Sequence, residues 1–490
     1  MKARHIAYII WTVIALLGIV CAIVPQDGFS IGKWTLRWPT LTEALDLEKD
    51  TTNTMAFWTD SLLAEVDTIA TEKIEETAPL DKAVTADTVA PKTQPVIPSV
   101  ETGNQDSRTY LTAFYASLDS TNSMPIRVVH YGDSQIEEDR ITNILRERWQ
   151  QEYGGGGVGL LPLHQTIPTR SIRQWLSING VVQTTQGGPK RYLVYGPRSM
   201  RMDTDDYGVM GQVAVMDSML VAGSEEVVIN IEPIDKKRKT HNYFNRLRIL
   251  SDSIDGYVLA KDSTYPIGEL LPDSCVKCEI HLQGKGKVYG VSLESATGII
   301  VDNIPMRGCS GNIFTKIDST QLSDFYKATN TRLIILQFGG NMIPQTENPS
   351  TISGYVRTTL RQQVRYIRSC APEASILFVG PSDMSTNIDG QMTTYPLVPY
   401  MDQQFRKMAQ EEGIAYWSIY EAMGGYNSMV VWHEKGLAGS DYVHFTRAGA
   451  NNIGKKLYKW IEAARLQFKE ESLKLKVVET VEVDTLNIQN

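Results

Sequence analysis

The first hydrophobic pattern along the chain is an apolar run near the N-terminus. Residues 6–24 carry no charged side chain, over about the 20 positions that a helix needs to cross a bilayer. Lys2 and Arg4 precede the run, so the positive-inside tendency predicts a cytoplasmic N-terminus and a chain that continues outside the cytoplasm. A cleaved signal peptide is the alternative, but its apolar core would be shorter and no Ala-x-Ala site follows. The pattern predicts a transmembrane signal-anchor in residues 1–25.

A polar segment separates this run from the next hydrophobic pattern. Residues 26–107 become rich in Thr, Ala, Val and Pro, with four prolines between residues 77 and 107: Pro79, Pro91, Pro95 and Pro98. Such a composition buries too little apolar surface to fold, and its prolines stiffen it. We expect a partly disordered stalk here.

Compact structure is predicted from residue 108 onward. The apolar run Ile126–Tyr131 reads as a strand and ends at Gly132-Asp133-Ser134. Apolar residues then recur at helical spacing and stop before a glycine run, which predicts a helix ending before Gly154. Residues 108–169 therefore contain a strand, a tight turn and a helix.

The middle of the chain has a different period. Residues 170–294 show alternating apolar and polar positions, as in Val227-Ile229-Ile231, separated by Gly and Asp turns. Alternation of this kind is typical of half-buried antiparallel strands. The pattern predicts an inserted β-sandwich.

Residues 295–468 return to strands that alternate with helices. The predicted strands are 333–338 and 376–379, and the predicted helices are 355–368, 399–412 and 447–466. Buried strands alternating with helices imply a parallel sheet covered on both faces. Residues 469–490 form a charged tail that we expect to be peripheral or disordered.

Composition narrows the function classes. The net charge is −8 over 490 residues, whereas a general nucleic-acid binder needs a basic face. Five cysteines in so long a chain exclude a disulfide framework. Cys275 and Cys278 form a lone CxxC, which indicates either two strand cysteines or one local disulfide.

The candidate chemistry begins with Ser134 at a strand end. In a parallel α/β sheet, reactive groups collect beyond the carboxyl ends of the strands. A serine hydroxyl needs a base to take its proton, and His444 is the histidine with a suggestive neighbour. Asp441 precedes it by three residues, so a helical turn would place both side chains on one face. Asp441 could then orient the imidazole.

Acyl transfer also needs hydrogen-bond donors for the oxyanion. Gly308 in Arg307-Gly308-Cys309 can offer a backbone N–H. Asn341 in Gly339-Gly340-Asn341 can offer its side-chain amide, and the N–H of Ser134 would be a third donor.

These segments, in this order, resemble the four blocks of the SGNH/GDSL hydrolase superfamily: GDS at 132–134, the glycine at 308, GGN at 339–341 and DxxH at 441–444. The resemblance covers residues 110–169 and 295–466. It implies a three-layer, flavodoxin-like α/β/α fold with Ser134 as nucleophile, Asp441 as orienter, His444 as base, and Gly308 and Asn341 in the oxyanion hole. Met342 stands where the family often has Asp. The β insert further resembles that of cell-wall O-acetylesterases and O-acetyltransferases.

Two simpler interpretations compete with this one. Ser134 could merely cap the following helix, although the other blocks favour the nucleophile. Glu137, Glu138 and Asp139 could be glycosidase carboxylates. We favour their placement in the first helical turn, where the helix dipole stabilises acids.

The leading hypothesis is a serine esterase that acts on O-acetyl groups of an envelope polysaccharide through an acyl-Ser134 intermediate. It needs neither cofactor nor metal, and it would sit on the cytoplasmic membrane with its catalytic domain outside the cytoplasm. One alternative is an O-acetyltransferase with the same triad and an integral-membrane acyl donor as partner. Another is a non-catalytic glycan-binding envelope protein.

Overall fold

The structure is a computed structural model that describes residues 29–31, 34–36, 107–121, 123–184, 187–216, 226–234 and 243–488. The chain divides into two compact units, residues 1–90 and residues 91–490. The predicted anchor at residues 6–24 and nearly all of the predicted stalk lie outside the described residues. In the described part of the chain, no helix combines the length and the apolar character that crossing a membrane requires.

The first unit contributes one antiparallel hairpin, β1 (Phe29–Ile31) and β2 (Trp34–Leu36). The second unit contains the remaining strands: β3 (Ile126–Gly132), β4 (Gly159–Leu161), β5 (Ile172–Ile178), β6 (Val181–Val182), β7 (Lys190–Leu193), β8 (Gln212–Met216), β9 (Glu226–Pro233), β10 (Phe244–Asp252), β11 (Asp255–Ala260), β12 (Ser263–Pro266), β13 (Leu270–Cys275), β14 (Cys278–Gln283), β15 (Gly286–Glu294), β16 (Ile299–Pro305), β17 (Thr331–Gln337), β18 (Ser375–Val379), β19 (Ser385–Ile388), β20 (Gln391–Thr394) and β21 (Ala415–Trp417).

The α-helices of the second unit lie mainly before and after the antiparallel region. They are α1 (Thr112–Ser117), α2 (Thr142–Tyr153), α3 (Ser319–Ala328), α4 (Pro349–Tyr355), α5 (Arg361–Cys370), α6 (Val398–Glu412), α7 (Ile419–Met423), α8 (Ser428–Glu434) and α9 (Arg447–Ile488). A π-helical turn, Val356–Leu360, joins α4 to α5.

Five strands form a parallel sheet in the spatial order β16-β3-β17-β18-β21. Renumbered by sequence within this sheet, the order is 2-1-3-4-5, which is the flavodoxin-like doubly wound arrangement. Gly132 of β3 lies opposite both Pro305 of β16 and Gln337 of β17. The carboxyl ends of these strands therefore meet at one edge, and the predicted flavodoxin-like α/β sheet is confirmed.

Helices cover both faces of this sheet, because its strands are apolar on both sides. All seven residues of β3 are buried. Val128 packs with residues of α1, α2 and α9, while the next residue, Val129, packs with residues of α3, α5 and α6. The sheet is thus the middle of three layers.

The antiparallel strands between β4 and β16 form two further sheets. One has the order β13-β10-β15-β8-β7, with β4 also paired to β15, and the other has the order β12-β11-β14-β9-β5-β6. Buried residues of both sheets, such as Leu176 of β5 and Leu247 of β10, belong to one hydrophobic cluster. The two sheets therefore pack face to face.

A buried ion cluster joins this insert to the parallel sheet. Arg127 of β3 donates to both carboxylate oxygens of Asp302 of β16, at 2.7 and 2.8 Å, and pairs with Glu294 of β15. The N–H of Leu160 in β4 donates to Asp302 Oδ1 at 2.9 Å. Removing one member would leave a buried charge without its partner, so the cluster fixes the insert against the sheet.

Two boundaries differ from the sequence predictions. β4 lies in residues 108–169 but pairs with β15 in a sheet of the insert. The sequence did not predict this strand, because a run of three residues is too short to show a strand period. The last helix does not end at residue 466 but continues to Ile488 as α9. The predicted tail contains neither Gly nor Pro, the residues that most readily end a helix, and is rich in Glu, Lys and Leu.

Candidate active site

Ser134 lies in a tight turn at the carboxyl end of β3. Asp133 caps the short 3-10 turn Ser134–Asp139 by accepting the N–H of Gln135 at 3.0 Å. The turn does not run into a helix, because Glu138 and Asp139 have φ angles of 58° and 61° and α2 begins only at Thr142. Ser134 therefore caps no helix, and its hydroxyl is left for other contacts.

His444 and Asp441 reach Ser134 from the loop before α9. The Oγ of Ser134 lies 2.8 Å from Nε2 of His444. The Nδ1 of His444 lies 2.7 Å from Oδ2 of Asp441. Burial raises the pKa of Asp441, but hydrogen bonds from the His444 side chain and backbone outweigh burial and hold that pKa below its ordinary value. The three side chains form one hydrogen-bonded chain.

The contact between Asp441 and His444 does not arise from a helical turn, as the sequence predicted. Tyr442 between them has φ of 53°, and α9 begins only at Arg447. Instead, Oδ1 of Asp441 accepts the backbone N–H groups of Val443 and His444, each at 3.0 Å. The carboxylate closes this turn with one oxygen and holds the imidazole with the other.

Asn341 lies beside Ser134, in the 3-10 turn Gly340–Gln345 that follows β17. Its Nδ2 donates to the carbonyl of Cys309 at 3.1 Å and to Oδ2 of Asp133 at 3.3 Å. Both N–H groups thus already have acceptors, and an acyl oxygen would have to share or replace one of them. Asp133 is buried, and this burial raises its pKa to about 6 against the lowering effect of the Gln135 N–H.

Gly308 lies in the loop after β16 with φ of 73°, in the left-handed region that favours glycine. Among the described residues, neither the N–H of Gly308 nor that of Ser134 donates to a protein acceptor. The loop is joined to the site by Cys309, whose carbonyl accepts the Asn341 amide, and by Ser310, whose carbonyl accepts the Tyr355 hydroxyl.

A cavity of about 320 Å³ opens beside Ser134. Its walls come from the loops after β3, β17 and β18 and include Ser134, Asn341, Met384 and His444, whereas Gly308 is not part of its lining. The structure therefore brings four of the five predicted site residues together: Ser134 and Asn341 with His444, and Asp441 behind His444. Gly308 does not line the cavity, but it directly precedes Cys309, whose carbonyl accepts the Asn341 amide.

Gln135 is a residue of this site that the sequence analysis missed. Its Nε2 donates to the carbonyl of Val443 at 2.6 Å and to Oγ of Ser382 at 3.3 Å. The side chain thereby ties the Ser134 turn to the His444 loop. No sequence signal marks this link, because the two partners lie 308 positions apart.

The three acids after Ser134 are ion-pair partners, and the prediction that they stand in a helical turn is wrong. Each carboxylate accepts a hydrogen bond from an arginine of another segment, at 2.6 Å for Glu137, 3.0 Å for Glu138 and 3.2 Å for Asp139. The pairs are Glu137 with Arg307, Glu138 with Arg170, and Asp139 with Arg146. Within the described ranges, no group of three His, Cys, Asp or Glu side chains could hold a metal ion.

Comparison with known proteins gives two kinds of similarity. Residues 281–451 match the GDSL-like Lipase/Acylhydrolase family. The matched region contains Gly308, Asn341, Asp441 and His444, and it begins after Ser134. No curated protein is significantly similar to the chain in sequence.

Solved structures resemble the chain over a larger part of its length. A peptidoglycan O-acetylesterase aligns with a TM-score of 0.56 and 20% identity, over 74% of this chain and 99% of that one. A family two carbohydrate esterase from Cellvibrio japonicus aligns with a TM-score of 0.25 and 9% identity, over 60% of this chain and 98% of that one. The first of these shows a shared fold. The family match and the fold together support an esterase or acyltransferase enzyme.

Proposed function

We propose that this SGNH-type enzyme is a serine esterase that removes O-acyl groups, most simply O-acetyl groups, from an envelope polysaccharide. The observation that carries the proposal is the hydrogen-bonded chain from Ser134 through His444 to Asp441, with contacts of 2.8 and 2.7 Å. These distances lie within the range at which a base can take the proton of a nucleophile. The Ser134 end of this hydrogen-bonded series lines a cavity that a small acyl group can enter.

The first chemical step would form an acyl-enzyme. Nε2 of His444 takes the proton of Ser134 as Oγ attacks the acyl carbonyl carbon. The carbonyl oxygen gains negative charge, which the free N–H groups of Ser134 and Gly308 and the amide of Asn341 would stabilise. Asn341 already donates to two acceptors, so stabilising the oxyanion also requires the backbone N–H groups of Gly308 and Ser134 to face the oxygen.

The second half of the cycle releases the sugar and then the acid. His444 returns the proton to the sugar oxygen as the ester bond breaks, which leaves the acyl group on Ser134. Water then attacks the acyl-serine with His444 as base, and His444 returns the proton to Oγ of Ser134 as the acyl–serine bond breaks and the acid leaves. Asp441 stabilises the imidazolium in both halves, which fits its lowered pKa and its contact with Nδ1.

The polymer to test first is O-acetylated peptidoglycan. The solved structure that shares this fold over 99% of its own length is a peptidoglycan O-acetylesterase, and the β insert offers additional surface for a glycan chain. The prediction that residues 6–24 anchor the enzyme in the cytoplasmic membrane would place its catalytic domain beside such a polymer.

Acetate release by the purified protein tests the esterase proposal. We expect Ser134→Ala to lower release from O-acetylated peptidoglycan by at least about a thousandfold. Ser385→Ala is the matched control, because it removes a nearby buried hydroxyl to which no described residue is hydrogen-bonded, and it should retain activity. Acetate release no faster than in a protein-free control, for both the Ser134→Ala and the unchanged protein, would leave the non-catalytic glycan-binding alternative.

Acyl transfer is the second form of the same proposal, because hydrolysis and transfer share the acyl-serine intermediate. Adding a glycan acceptor to the assay separates them. A transferase would move the acyl group to the acceptor faster than to water and would draw it, in the cell, from an integral-membrane acyl donor. An esterase would release acetate at the same rate with and without acceptor.

A further inference from the structure

Two adjoining cavities lie apart from the cavity at Ser134, one between the catalytic layers and the β insert and the other lined only by residues 162–289. One has a volume of about 210 Å³ and the other of about 450 Å³. Four residues line both: Pro162, Thr166, Arg191 and Gln212. We call the combined space the insert cleft, since Arg191 of β7 and Gln212 of β8 belong to the insert.

One arginine that lines the insert cleft has no carboxylate partner among the described residues. In the smaller cavity, the carboxylates of Glu137, Glu138 and Asp139 each have an arginine partner. Arg191 has none: its Nη1 donates to Oγ1 of Thr166 at 3.0 Å, and no described carboxylate forms an ion pair with it. The larger cavity has no acidic residue among its lining side chains.

Arg191 is thus a partly buried cation without an anion. Burial lowers its pKa, the direction that an uncompensated cation shows when it loses water. Burying an unpaired charge is unfavourable, whereas a bidentate contact between a guanidinium and a carboxylate recovers much of that cost. A cavity that keeps such an arginine open is therefore suited to an anionic ligand.

Tyr195 adds a second donor to the same space. Its side chain lines the smaller cavity, and its hydroxyl has no hydrogen-bond partner among the described residues. Arg191 lines the same cavity, and its charge lowers the pKa of this hydroxyl against the raising effect of burial. One anionic group could accept hydrogen bonds from both.

One wall of the insert cleft is built from segments that also carry residues of the proposed active site. Glu137 and Arg307 form part of its wall. Glu137 belongs to the turn that begins with Ser134, and Arg307 directly precedes Gly308. The cleft and Ser134 are therefore linked through the Glu137–Arg307 ion pair.

We propose that the insert cleft binds a carboxylate of the glycan substrate, with Arg191 as the residue that recognises it and Tyr195 as a further donor. The inference rests on the proposed function and narrows its substrate class to acidic glycans. The carboxylate can belong to a sugar acid or to a peptide attached to the glycan. Neutral acetylated glycans would lack this contact.

Binding to the Ser134→Ala protein tests the inference without turnover. The probes for calorimetry are tetragalacturonic acid, a peptidoglycan disaccharide-peptide, the same disaccharide-peptide with its carboxyl groups amidated, and chitotetraose. We expect at least one carboxylate probe to bind about tenfold to a hundredfold more tightly than the amidated and neutral probes. Which of the two acidic probes binds identifies the source of the carboxylate.

The variant Arg191→Gln, made in the Ser134→Ala protein, should reduce the affinity for the acidic probe to that of the amidated one. Arg191→Lys keeps the charge but loses the bidentate geometry, so its affinity should lie between the two. Arg198→Gln is the matched control, because Arg198 is an exposed arginine of the insert that lines neither cavity. Melting temperatures within about 2 °C of the parent establish that each variant is folded.

Equal binding of acidic and amidated probes, or unchanged acidic binding in folded Arg191→Gln, would overturn the inference. Its failure is distinguishable from failure of the proposed function, because ester cleavage is measured separately with a small neutral ester. In otherwise unchanged enzyme, Arg191→Gln should cleave p-nitrophenyl acetate at the normal rate and raise KM only for acidic acetylated glycan.

Discussion

The two segments that form the site are held in different ways. The Ser134 turn is buried and fixed by partners from distant parts of the chain, including Arg307 on Glu137 and Asn341 on Asp133. The His444 loop is more open, with 38% of the His444 side chain and 50% of the Asp441 side chain exposed. Much of its order comes from the turn that Asp441 closes on its own backbone. The nucleophile is therefore placed by the fold, while the base is placed largely by one local carboxylate.

Removing the base should have the largest effect. His444→Ala leaves the Ser134 hydroxyl without its proton acceptor, and we expect kcat for acetate release to fall about ten-thousandfold. His281→Ala is the control, because His281 stacks on Tyr257 in the insert and should leave kcat unchanged. Retention of more than about a tenth of the activity in His444→Ala would contradict a role as base.

Asp441→Asn should have the next largest effect. The amide oxygen can still accept the N–H groups of Val443 and His444, so the turn is kept, but the amide nitrogen now faces Nδ1 of His444. We expect kcat to fall about a thousandfold, somewhat less than in a buried triad because this carboxylate is half exposed. Circular dichroism should show an unchanged fold, and a loss of structure would mean that Asp441 acts mainly through the turn.

The third prediction concerns Asp133, in the buried Ser134 turn, whose titration should make the free energy of unfolding depend on pH. Its pKa of about 6 lies above the ordinary value of 3.8, so its contribution to folding is complete at low pH and is lost as pH rises through about 6. The free energy of unfolding of Asp133→Asn relative to the unchanged protein should therefore increase by about 3 kcal/mol between about pH 3.5 and 7.

Urea unfolding at a series of pH values measures this difference. Asp302→Asn is a poor control because it breaks a buried ion pair, whereas the exposed Asp389→Asn should show no such pH dependence. A pH-independent difference for Asp133→Asn would mean that its carboxyl titrates alike in the folded and unfolded chain.

The sequence predicted the parts of this site that depend on strand ends and local motifs. Buried apolar runs predicted β3, β17 and β18 and a parallel sheet, and the carboxyl ends of β3 and β17 bring Ser134 and Asn341 to one edge. The Glu137–Arg307 pair could not be predicted, because its members lie 170 positions apart. The helical assignments of residues 137–139 and 441–444 failed because Glu138, Asp139 and Tyr442 have positive φ angles, which the helical period does not report.

The smallest expected effect concerns that ion pair. Glu137 is 4% exposed and Arg307 is 60% exposed, so the two deletions are unequal. Arg307→Ala leaves a buried carboxylate unpaired and should cost about 2 kcal/mol of stability, while Glu137→Gln leaves an arginine that water can solvate and should cost about 1 kcal/mol. The double variant should be more stable than Arg307→Ala alone. Equal costs in urea unfolding would mean that the pair is not asymmetric in solution.

Active-site labelling tests the central claim, that His444 activates Ser134, most directly. After treatment with a fluorophosphonate, mass spectrometry should find one adduct per chain on the peptide that contains Ser134. The rate of labelling should fall at least about a hundredfold in His444→Ala, and labelling should be absent in Ser134→Ala. A label on another residue, or an undiminished rate without His444, would contradict the account.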